Sequence, residues 1–85
     1  MTNLEILNTA ESFTITPTEA TIAYVTEKYK EITGKDLHDG KAWIQENNFD
    51  QEGEMKLELK SYDTLLGQTA WITLDIDTDF IVEAV

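Results

Sequence analysis

The strongest constraint on this chain lies near its carboxyl end. There Ile72, Leu74, Ile76 and Phe80 interleave with Trp71, Thr73, Asp75, Asp77 and Asp79. A strand sends successive side chains to opposite faces, so one register buries the apolar set and turns the other set to water. Alternate residues of a strand stand about 6.7 Å apart. Asp75, Asp77 and Asp79 on one strand would form a row of anions spaced much like the phosphates of a nucleic-acid strand. Upstream, Met55, Leu57 and Leu59 alternate with Lys56, Glu58 and Lys60 in the same two-residue period. The two runs are expected to pair as an antiparallel hairpin, joined by a connection over 62–69. Phe80, Ile81 and Val82 either continue the second strand past a bend or form a strand of their own.

Before residue 50 the period is helical. Thr16, Pro17, Thr18 and Glu19 have the make-up of a capping box, with Thr16 as cap and Pro17 in the first helical position. Ile22, Val25, Tyr29 and Ile32 then recur at spacings of three and four, and Gly34 supplies a C-terminal stop. This pattern predicts a helix over 17–33. A second, shorter helix is expected over 37–47, capped by Asp36 or Asp39, with a polar loop from Asn47 to Gly53. Residues 1–16 are ambiguous. Leu4, Ile6 and Leu7 suit a short strand or a helical turn, and Phe13 and Ile15 alternate with hydroxyls as in an extended segment. Residues 1–85 read as a single α+β domain. Two helices pack on one face of a small antiparallel sheet, in the order β-α-α-β-β with room for a further C-terminal strand.

Charge narrows the function classes. The chain has 17 acids, six Lys and no Arg, for a net charge of −11. All the lysines fall between Lys28 and Lys60, so both terminal blocks are acidic with no base to offset them. Binding nucleic acid directly needs cations that displace phosphate counterions, and an anionic membrane would repel this surface. A basic protein surface is the complementary partner. With no cysteine, disulfides and thiolate metal sites are excluded, which agrees with a cytoplasmic setting. The N-terminus carries no signal-peptide pattern, and no apolar run approaches the length of a membrane span.

Catalytic and cofactor motifs are missing. The glycines at 34, 40, 53 and 67 are scattered, so no phosphate-binding loop forms. His38 is the only histidine, and Ser12 and Ser61 lack the glycine setting of a nucleophile elbow. Asp75-Ile-Asp77-Thr-Asp79 begins like a calcium loop, but Phe80 occupies the position where such loops need Gly, and the closing Glu would fall beyond Val85.

The sequence therefore favours a non-enzymatic, cofactor-free acidic binding protein. It would block or modulate a basic partner, one that binds nucleic acid being the natural candidate, and act as a nucleic-acid mimic. In size and charge it is like the small inhibitors of phages and mobile elements, anti-CRISPR and anti-restriction proteins among them. The expected contacts are Asp75, Asp77 and Asp79, flanked by Glu83, Asp63 and Trp71, on a monomer or weak homodimer. The rival readings are an assembly protein that self-associates through a sheet edge and a small divalent-cation-binding domain.

Overall fold

The computed structural model describes residues 1–60 and 69–85. Seven elements follow one another: α1 (Asn3–Thr9), β1 (Phe13–Pro17), α2 (Glu19–Thr33), α3 (Gly40–Gln45), β2 (Glu54–Lys60), β3 (Thr69–Asp75) and β4 (Phe80–Ala84). The α+β class holds, and so does the expected order of strands and helices, with β4 as the further strand. Two features go beyond it. A helix precedes β1, and the strands form two separate two-stranded antiparallel ladders, β2–β3 and β1–β4.

The hairpin follows the two-residue period closely. Leu57 pairs with Ile72 and Met55 with Leu74, all buried, while Lys56 pairs with Thr73 and Glu58 with Trp71 on the outer face. In the second ladder Ile15 pairs with Val82 and Pro17 with Phe80. Proline is tolerated here because a two-stranded ladder leaves an edge that needs no N–H donor. The single core draws on both ladders and two helices: Val25, Ile44, Ile76 and Met55 are each at most 1% exposed, and Phe80 and Val82 close it from β4. No buried side-chain polar atom among the described residues lacks a hydrogen-bond partner.

The helix of the second quarter starts two residues later than the capping box suggested. Pro17 is taken by β1, and the cap passes to Thr18, whose Oγ1 accepts from the Thr21 backbone N–H at 3.2 Å. Thr18 N also donates to the Asp79 carbonyl at 3.1 Å, which ties the start of α2 to the entry of β4. Gly34 ends the helix in the left-handed region at φ 75°. Of the two caps considered for the next helix, Asp39 serves, accepting from Ala42 N at 3.1 Å. That helix is shorter than the expected 37–47. It begins at Gly40, directly after the extended Asp39 cap, and α3 crosses α2 closely there: a Cβ at Gly40 would lie 3.0 Å from Thr26 Oγ1. Trp43 fixes the crossing edge-on against Tyr29, ring centres 5.5 Å apart.

Candidate functional site: an acidic end beside an apolar groove

The expected row of carboxylates does not form. The strand ends at Asp75, and residues 76–79 are a turn. Asp is a poor strand former whose short side chain competes for nearby backbone donors, and Asp75 and Asp79 do so here. Asp75 Oδ1 accepts from Asp77 N at 2.8 Å. Asp79 Oδ2 accepts from Asp75 N at 2.8 Å, while Asp79 N donates to the Asp75 carbonyl at 2.9 Å. Asp77 Oδ1 reaches further and accepts from Leu4 N at 3.1 Å, in the first turn of α1. Asn3 completes the attachment, its Nδ2 donating to the carbonyls of Ile76 at 2.9 Å and Phe80 at 2.8 Å. The apolar half of the pattern is as expected, with Ile72, Leu74, Ile76 and Phe80 all buried.

The remaining candidates are dispersed. Asp75 and Asp77 are exposed and Asp79 is half-buried. Glu83 is exposed on the other ladder, across from Thr14. Trp71 is 59% exposed, but it faces Glu58 and lies diagonal to Lys56 and Lys60, in a patch of mixed charge rather than among the aspartates. Asp63 lies outside the described residues.

The structure adds acids that sequence separation had hidden. The loop before β2 is built on Asp50, whose Oδ1 accepts from Glu52 N and Glu54 N, both at 2.9 Å. Gly53, at φ 82°, then lets its carbonyl accept from Ile76 N at 2.8 Å. This bond seats the loop on the 76–79 turn, so Asp50, Glu52 and Glu54 share one end of the molecule with Asp75 and Asp77. Glu54 stands directly across the ladder from Asp75. Like charges in that position repel. The ion pairs among the described residues are Lys28–Glu31, Lys30–Asp36 and Lys60–Glu58, none of which touches this end. No three His, Cys, Asp or Glu side chains among the described residues are placed to share a metal ion.

The Asp50 carboxyl is held below its ordinary range, chiefly by the hydrogen bond from Glu54 N. Burial opposes this, while the bond from Glu52 N and the attraction of Lys56 assist it. A carboxylate whose pKa falls on folding stabilises the fold above its unfolded value of about 3.9, and the contribution fades as pH drops through the folded value. Asp50→Asn should therefore flatten the loss of stability below about pH 4. Urea midpoints measured against pH for both proteins would show it: the curves converge in acid and separate near neutrality. Parallel curves would mean that the carboxylate does not hold the loop.

Beside this end lies a groove of about 590 Å³ between α1, β1 and the 47–51 loop. Leu7, Phe13, Ile15, Phe49, Met55 and Phe80 line it, and polar side chains, including Asn8, Asn48 and Gln51, rim it. Phe49 meets Phe80 edge-on, ring centres 4.8 Å apart, and Gln45 Nε2 donates to the Ile15 carbonyl at 3.0 Å. Asp50 belongs to the same wall, so groove and acidic end are continuous. No helix among the described residues is long and apolar enough to cross a membrane. The chain matches no family model, no curated protein and no solved structure.

Proposed function

We propose that this protein is a non-catalytic acidic interaction module that blocks or modulates a basic partner in the cytoplasm, a nucleic-acid-binding protein being the class its charge suits best. One observation carries the reading. Two loops distant in sequence converge to hold Asp50, Glu52, Glu54, Asp75 and Asp77 at one end, with Glu54 and Asp75 opposed across the ladder. Lys56, diagonal to Asp75 on the same face, offsets one of these five charges, and a cationic partner would offset the rest. The contact surface is a turn and a loop rather than a straight row. Steering by the net charge of −11 makes association fast and salt-sensitive.

Glu52→Lys with Glu54→Lys tests this, because neither side chain holds the turn. Proteins captured from a cell extract at low salt should be basic, elute as salt rises, and bind the double variant about tenfold more weakly, a loss of about 1.4 kcal/mol. The thermal midpoint should stay level or rise as the clash with Asp75 is removed. An unchanged, salt-resistant set of captured proteins would refute the reading.

A second reading, self-association, draws on the two-stranded ladders, in which each strand has one ladder partner, and on Ile81, 51% exposed on β4. Open strand edges can pair with another copy. Sedimentation at low and high salt separates the two: a dimer that persists at high salt favours assembly, and a monomer favours the acidic module.

A further inference from the structure

We infer that the groove between α1, β1 and the 47–51 loop is an anchor site for a basic amphipathic segment of the partner, taking an apolar side chain while flanking lysines or arginines lie on the adjoining acidic loop. The inference rests on the acidic-module reading and adds to it where the partner is gripped and what the gripping segment looks like. The volume, about 590 Å³, falls in the range of pockets that enclose small ligands and is ample for one large side chain with its neighbours. Leu7, Phe13, Ile15 and Phe49 stay half-buried around it although the domain has few apolar residues to spare.

Charge chooses the occupant. No lysine lines the groove, and Asp50 in its wall leads directly to Glu52 and Glu54. An apolar segment carrying acids would be repelled, and a neutral one would leave the acidic rim with Lys56 as its one nearby cation among the described residues. A segment with apolar and cationic residues on one face satisfies both surfaces at once. Such a pairing places a desolvated anchor at the centre and charge at the rim, the arrangement that concentrates binding energy in protein interfaces.

The test uses the whole protein and three synthetic probes: an amphipathic Lys/Leu peptide, an oligolysine of equal charge, and an uncharged Leu/Gln peptide of equal length. The Lys/Leu peptide should bind at least tenfold more tightly than either of the others and shift the methyl resonances of Leu7, Ile15 and Met55. Asn8→Trp, or Asn48→Trp from the facing rim, fills the groove without changing charge; it should abolish the advantage over oligolysine and leave oligolysine binding intact. Equal affinity for the Lys/Leu peptide and oligolysine, both lost in Glu52→Lys/Glu54→Lys, would overturn the groove assignment and leave the acidic module standing. Equal affinity for the Lys/Leu and uncharged peptides would overturn the choice of a basic occupant. If no peptide binds even at low salt, both the anchor site and the acidic-module reading fall.

Discussion

Gly53→Ala is expected to destabilise the protein by about 3 kcal/mol, the sum of two effects at one atom. Gly53 sits at φ 82°, where an L side chain costs about 1–2 kcal/mol. The added methyl would also overlap Ile76 Cγ2 and lie 3.0 Å from Leu4 Cδ1. Ile76 is fully buried, so it cannot swing aside into water, and overpacking of this kind costs about 1–3 kcal/mol. A domain of this size is stable by only about 5 kcal/mol, so the midpoint should fall by roughly 12–24 °C. Gly34→Ala is the control. Gly34 has the same sign of φ, at 75°, but is exposed, so only the backbone effect of about 1 kcal/mol should appear. Thermal melts followed by circular dichroism would compare the two. Similar losses at both positions would mean that the loop does not press on Ile76.

Asp77→Ala with Asp79→Ala should cost about 2–3 kcal/mol, and the double Asn variant should recover most of it. Asp77 holds the first turn of α1 through Leu4 N, and Asp79 closes its own turn through Asp75 N. Each is a backbone cap of the type whose removal costs about 0.5–2 kcal/mol. Asparagine keeps an acceptor oxygen and loses only the charge. If the Asn variant were as unstable as the Ala variant, charge rather than hydrogen bonding would be holding the turn. If neither variant were destabilised, the aspartates would be free surface groups, as a continuous acidic strand would have had them. Partner binding supplies the complementary readout, because the Asn variant keeps the turn while removing the Asp77 charge from the acidic end and the half-buried Asp79 charge beside it.

These two experiments bear on what the sequence could and could not disclose. Alternation near the carboxyl end correctly selected Ile72, Leu74, Ile76 and Phe80 for burial, because apolar spacing reports which side chains avoid water. It could not distinguish a strand from a turn that happens to return its apolar residues to the core. The composition of the polar positions held that information: of three aspartates in five residues, Asp75 and Asp79 supply side-chain acceptors that outcompete a ladder. The cap of α2 moved from Thr16 to Thr18 for a similar reason, since Pro17 fits both a first helical turn and an edge strand, and pairing with Phe80 decided between them. The helical stripe and Gly34 stop were legible because they depend on neighbours three and four residues apart. The acidic end was not. Asp50, Glu52 and Glu54 join Asp75 through the hairpin register and the Ile76–Gly53 bond, and local spacing carries no trace of either.

The pairing of β1 with β4 has a consequence for biosynthesis. Residues 13–17 find their ladder partners only at 80–84, and α1 is fastened by a turn made shortly before them. Contacts this far apart along the chain form late and slow the search for the native topology. On the ribosome, the leading helix and strand must wait, unsheltered, until nearly the whole domain has left the exit tunnel. A nascent chain arrested before Phe80 should be open to proteases and chaperones, whereas one in which 80–84 are free to pair with 13–17 should close.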